Sequence, residues 1–208
     1  MLAGARSAMR PSVLLAALAI AASACSDRPA PLAPDASTDV VTSRAASVGT
    51  ASAPAPSPAQ ANYEIKFMTD MIDHHHMAIM MSELCLEKAI HPELVALCEQ
   101  IIATQAAEIE QMQGWLAEWY GISYEPQMKP GDMRMMEKLA ALSPEEFEIA
   151  YMEMMIKHHT NAVKEGEHCL ERAYHEELKE LCENIIETQL REIAIMQQWL
   201  CEWYGICR

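Results

Sequence analysis

The chain has no C-x-x-C pair, no phosphate-cradling glycine loop and no Ser-His-Asp pattern. Thiolate metal binding therefore has only a weak signal, and nucleotide chemistry and serine-type hydrolysis have none. Period-two alternation of apolar residues is also missing, which excludes a sheet protein. The apolar stretch Val13 to Ala22 is too short to span a bilayer. Positive charge is scarce: 15 Lys and Arg stand against 30 Asp and Glu, for a net charge of −15. An acidic surface of this kind disfavours nucleic acid and anionic membranes and favours cations, although solubility alone would also account for it.

What is present begins with an export pattern. Arg6 and Arg10 precede the apolar stretch, and Ala22-Ser23-Ala24 stands before Cys25, so residues 1–24 read as a signal peptide. Its loss removes two positive charges and takes the net charge from −15 to −17. Cys25 is either the lipidated first residue of a lipoprotein or a plain thiol left by cleavage after the A-x-A pattern. Parity favours lipidation, because seven cysteines become six once Cys25 is modified. Residues 25–61 are rich in Ala, Pro and Ser and short of large apolar groups, which predicts a disordered tether to the periplasm or cell envelope. The folded part is expected over residues 62–208.

That part repeats itself. Shifted by 84 residues, Tyr63–Ile122 aligns with Phe147–Ile206 at 34 identical positions of 60. The spacing of apolar residues at three and four predicts two helices per copy. His91-Pro92 makes the first turn, Gly121 and Gly205 end helices, and Ser143-Pro144-Glu145-Glu146 is a capping box that opens the second copy at 143–206. The expected fold is all-α: one four-helix up-down bundle built from two duplicated hairpins, with a Met-rich connector at 123–142.

In an antiparallel hairpin, residues at one height share a constant index sum. Cys85 with Cys98 and Cys169 with Cys182 flank the two turns at equivalent heights. In an oxidising compartment each pair is expected as a disulfide, with Cys201–Cys207 as a third, although thiolate metal binding remains the alternative. The sum shared by Cys85 and Cys98, 183, is also that of His75 with Glu108 and of Met71 with Met112. In the second copy, His159 with Glu192 and Met155 with Met196 share the sum of Cys169 with Cys182.

On a helical wheel His75 is central to the apolar stripe and His74 is at its edge, while Glu108 lies among apolar residues. A carboxylate in a bundle core is costly unless paired or bound to a cation. A structural His–Glu hydrogen bond is one reading. A metal layer is the other, with Glu108 and Glu192 as ligands or as groups that orient the imidazoles. Thioether and imidazole together suit the soft ions Cu(I) and Ag(I). The candidate ligands are Met68, Met71, His74, His75, Glu108 and Met112 in the first copy. Met152, Met155, His158, His159, Glu192 and Met196 are their counterparts. His76, Met77 and Met81 are possible additions. Met77 faces away from the stripe, and Met128, Met133, Met135 and Met136 lie in the connector, so a core role fits them poorly.

The patterns F-M-x-x-M-I-D-H-H and Y-M-E-M-M-I-K-H-H, with H-P-E-L, I-I-x-T-Q-x-x-E-I, G-D-M at Gly131–Met133 and a closing W-L, resemble the family catalogued as domain of unknown function 305. The resemblance covers both copies. It implies a ferritin-like helical fold and, because some members are periplasmic copper-binding proteins implicated in copper resistance, a copper site on Met71, His74 and His75 and on Met155, His158 and His159. The paired cysteines depart from the usual family pattern. The expected function is therefore an exported protein that sequesters or delivers Cu(I) without turnover, with no organic cofactor, no nucleic-acid partner, and a copper exporter or another periplasmic carrier as its exchange partner. Membrane contact is expected only through a lipid anchor. Two alternatives come from other classes. One is a ferritin-like di-metal oxidase, for which Asp73-x-x-His76 supplies half a ligand motif whose copy is lost to Lys157 and Thr160. The other is a non-catalytic envelope lipoprotein whose polar layer only fixes helix register.

Overall fold

The structure is a computed structural model, and it describes residues 55–207. The signal peptide, Cys25 and most of the expected tether lie outside the described residues. Among the described residues the chain forms five helices: α1 (Pro58–Lys88), α2 (Pro92–Tyr120), α3 (Pro130–Ala140), α4 (Pro144–Arg172) and α5 (Glu176–Tyr204). None of them is long and apolar enough to cross a membrane.

Helix α1 starts four residues before the expected boundary at 62. Ser57 and Gln60 form a reciprocal capping box there, and Pro58 sits in the first turn, where its missing N–H costs nothing. The Ser143/Glu146 box opens α4 in the same way. Gly121 and Gly205 close α2 and α5 with φ of 66° and 69°, left-handed values that glycine adopts without strain. The four long helices have 31, 29, 29 and 29 residues, about 44 Å each at the α-helical rise.

Disulfides Cys85–Cys98 and Cys169–Cys182 staple the two hairpins near their turns, and Cys201–Cys207 ties the chain beyond α5 back to it. The closest packing is α1 on α2, α4 on α5, and α1 on α4. The four-helix bundle of two duplicated hairpins is thus the observed architecture, with α1 and α4 as the pair that joins them.

Its helix directions differ from a strict up-down order. Glu64, early in α1, reaches the α4–α5 turn, while Glu148, early in α4, reaches the α1–α2 turn. Helices α1 and α4 are therefore antiparallel and α2 runs parallel to α4, giving up, down, down, up. The connector accordingly runs the length of the bundle, and its middle forms α3, packed on α1 and α4.

The two glutamates are buried carboxylates that clamp one hairpin to the other. Glu148 accepts from Ile90 N at 2.7 Å, His91 N at 2.8 Å, His91 Nδ1 at 2.6 Å and the Tyr204 hydroxyl. Glu64 accepts from Tyr174 N at 2.6 Å, His175 N at 2.8 Å, His175 Nδ1 at 2.7 Å and the Tyr120 hydroxyl. Each clamped histidine stacks on a tryptophan of the opposite hairpin, His91 on Trp203 and His175 on Trp119, at 3.9 Å between ring centroids. Burial alone would raise both carboxyls; the hydrogen bonds outweigh it and hold them below the ordinary 4.5.

One core pair breaks the internal symmetry. Ser82 Oγ and the fully buried Tyr151 hydroxyl are hydrogen-bonded at 2.9 Å. At the repeat-related positions stand Gly166 and Phe67. The hydroxyl pair has become a phenyl ring and a glycine, so neither half leaves an unpaired hydroxyl there.

Candidate metal centre

Within each hairpin the polar layer forms at the expected height. His75 Nε2–H donates to Glu108 Oε2 at 2.7 Å, with the histidine fully buried and Glu108 8% exposed. His159 Nε2 lies at the same 2.7 Å from Glu192 Oε2, but off the hydrogen-bonding direction. One turn away, Gln105 and Gln189 each bury a side-chain oxygen without a partner. On the other side of the ring, His75 Nδ1 is buried without a hydrogen-bond partner.

His74 and His158 occupy a different place. They are repeat counterparts at the edge of the apolar stripes, and that edge is the α1–α4 seam. Their rings stack face to face, 3.5 Å between centroids and 27° between planes. Both nitrogens of His74 and Nδ1 of His158 are buried without a partner. Burial, followed by the neighbouring imidazoles His75 and His159, depresses His74 from 6.5 to about 3. Burial and then His74 press His158 well down as well. Both are neutral at physiological pH, which keeps their ring lone pairs free for a metal ion.

The pair opens onto a cleft of about 840 Å³, whose lining includes Met71, Met77 and Met135. Of the twelve principal candidates, the structure brings Met71, His74 and His158 to this cleft. His75, Glu108, His159 and Glu192 face inward, within their own hairpins. Met68, Met112, Met152, Met155 and Met196 are fully buried core residues outside the cleft lining. Of the three additional candidates Met77 lines the cleft, whereas His76 and Met81 do not.

Met77 is also a correction. It is 5% exposed, because α1 buries a second face against α4 and α3; the wheel showed only the face turned to α2. Met128, Met135 and Met136 are likewise partly buried against the core, and only Met133 among these connector methionines is largely exposed, at 53%. The residue missed by sequence reasoning is Met135, which belongs to no repeat and shares no register with the hairpins.

Among the described residues no three His, Cys, Asp or Glu side chains gather around one point. The cleft lining combines imidazoles and thioethers, which suit a soft ion, with the carboxylates of Asp70, Asp73, Asp132 and Glu165.

Comparison with solved structures agrees with the helical architecture. CopM in its Cu(I)-bound form matches with a TM-score of 0.62 and 32% identity, covering 68% of this chain and 98% of that one. CopM in its Cu(II)-bound form matches with a TM-score of 0.61 and 33% identity, covering 68% and 97%. A DUF305 fragment from Deinococcus radiodurans matches with a TM-score of 0.60 and 26% identity, covering 71% and 98%. No curated protein matches the chain. The model of the domain of unknown function DUF305 matches residues 64–200 in a single span that runs across both hairpins, and the chain belongs to the DUF305 family.

Proposed function

We propose that this protein is an exported, non-catalytic carrier of soft metal ions that sequesters or delivers Cu(I), with Ag(I) as a mimic, in copper homeostasis. The observation that carries this reading is the set of unpartnered imidazole nitrogens on His74 and His158 at the α1–α4 seam and on the histidines beside them in each hairpin. His74 Nδ1 and Nε2, His75 Nδ1, His158 Nδ1 and both nitrogens of His159 are buried without hydrogen-bond partners. Folded proteins pair nearly all such atoms, so a cluster of orphans calls for a ligand. Thioethers beside them remain ligands in an oxidising compartment, where the thiols are consumed as disulfides.

His74 and His158 are the proposed ion ligands, with Met71 supplying sulfur. Glu108 orients His75 behind them through its hydrogen bond, and Glu192 lies 2.7 Å from His159 Nε2 in the second copy. The CopM relatives in Cu(I)-, Cu(II)- and Ag-bound forms support copper as the cargo. The N-terminal pattern supports export to the periplasm or envelope, with Cys25 as a lipid anchor and a copper exporter or periplasmic carrier as the exchange partner.

The test is a competition titration of the purified chain against a chromogenic Cu(I) chelator, with and without Ala at His74, His75, His158 and His159. Tight binding that is lost in the variant is expected. Equal affinity in both refutes the site.

A further inference from the structure

The hairpins are pseudo-symmetric, but the cleft is not. Met71 lines it and its counterpart Met155 does not; Met77 lines it, and its counterpart is Asn161. Met135 comes from the connector and has no counterpart at all. The connector is tied along α1 on either side of these residues. Asp73 accepts from Gln127 N at 2.8 Å and from the Tyr124 hydroxyl at 3.0 Å, and Lys88 Nζ donates to Ala140 O at 2.8 Å. Leu139, 2% exposed, anchors the far end of α3. Helix α3 is therefore a strap fixed at both ends across the seam where His74 and His158 stack.

We propose that Met77 and Met135 complete the ion site as thioether ligands contributed from outside the duplicated pattern, making one asymmetric site beneath the α3 strap. This rests on the reading that the cleft holds a soft ion. The chemistry of the donors supports it: two imidazoles and three thioethers line the cleft with no thiolate, a soft donor set, alongside the carboxylates of Asp70, Asp73, Asp132 and Glu165. The repeated residues supply one wall, and the strap supplies the other, with exposed Met133 on its outer side.

The experiment uses the full chain with its disulfides intact and Ag(I) as the probe, measured by chelator competition. Met77→Leu and Met135→Leu are near-isosteric swaps that remove only the sulfur. Each is expected to weaken Ag(I) binding about tenfold, equivalent to about 1.4 kcal/mol, while Met133→Leu and Met136→Leu leave it unchanged. A second readout does not depend on the variants folding. In the wild-type chain, bound Ag(I) is expected to shield Met77 and Met135 from peroxide oxidation, mapped by peptide mass spectrometry, while Met133 oxidises at the same rate with or without the ion.

Unchanged affinity in both cleft variants, with binding lost in His74→Ala/His158→Ala, overturns the strap assignment and leaves the histidine site standing. Equal oxidation of Met77 and Met135 with and without Ag(I) overturns it as well. Absence of Ag(I) binding by the wild-type chain overturns the strap assignment together with the function on which it rests.

Discussion

Replacing Glu148 with Gln removes one charge from the clamp between hairpins and leaves its shape nearly intact. In the native protein this carboxylate takes four hydrogen bonds, two from backbone N–H groups at the α1–α2 turn, one from His91 and one from Tyr204. A glutamine oxygen can still receive the two backbone donors. Its amide nitrogen, however, must face two groups that also donate. Hydrogen bonds to a charged partner contribute about 1.5–3 kcal/mol each and neutral ones about 0.5–1.5. Two bonds weakened and two disrupted, with partial relief as His91 and Tyr204 reorient, come to about 3 kcal/mol. For a domain of this size that corresponds to a melting temperature about 6–12 °C lower. Glu64→Gln is expected to cost the same. The two clamps share no partners, so the double variant should lose about 6 kcal/mol, additive to within about 0.5. The assay is urea unfolding of the oxidised, metal-free chain followed by tryptophan fluorescence, which reports directly because Trp203 and Trp119 stack on the clamped histidines. A single variant within about 0.5 kcal/mol of wild type would show that the clamps are not what joins the hairpins, and would refute the reasoning.

Three further outcomes follow from the same structure. Glu64 and Glu148 are held below the ordinary carboxylate pKa of 4.5, so the unfolded chain takes up protons that the folded chain resists. Their stabilisation is complete above about pH 4.5 and is lost as pH falls toward the depressed folded values; the urea midpoint should drop across that window, and by less in Glu148→Gln. A Cβ at Gly166 would stand 2.8 Å from Ile186 Cγ1 and 3.3 Å from the Cys182 carbonyl, so Gly166→Ala should destabilise the α4–α5 hairpin by about 1–2 kcal/mol in thermal unfolding. Removing the Cys85–Cys98 bridge as a double Ser variant frees a chain segment of sequence separation 13 and should lower stability by about 3 kcal/mol, read as a lower melting temperature under oxidising conditions.

The parts of this structure that were legible in the sequence are those governed by local rules. The short His91-Pro92 turn fixes the register of the first hairpin, so the height of Cys85 and Cys98 carries directly to His75 and Glu108. Duplication then repeats the argument for His159 and Glu192. Capping boxes and terminal glycines mark helix ends because they answer to a few neighbouring residues. Nothing local specifies how one hairpin docks on the other: a connector of some twenty residues leaves the direction of α4 open. For that reason the antiparallel α1–α4 pair, the clamps at Glu64 and Glu148 and the stacking of His74 on His158 were all beyond the register argument. The burial of Met77 was missed for the same cause, since a wheel drawn for one partner hides a helix that buries two faces. The identity of Glu64 and Glu148 between the copies, each directly after an aromatic residue, was the signal available, and a buried role for them appears only once the second hairpin is in place.

The most direct test of the account is the copper K-edge X-ray absorption spectrum of the chain loaded with Cu(I) under exclusion of oxygen, with its disulfides intact. A mixed first shell of imidazole nitrogen and thioether sulfur is expected, with the imidazole scattering lost in His74→Ala/His158→Ala. A first shell of nitrogen and oxygen alone, or a spectrum that the double variant leaves unchanged, would contradict it.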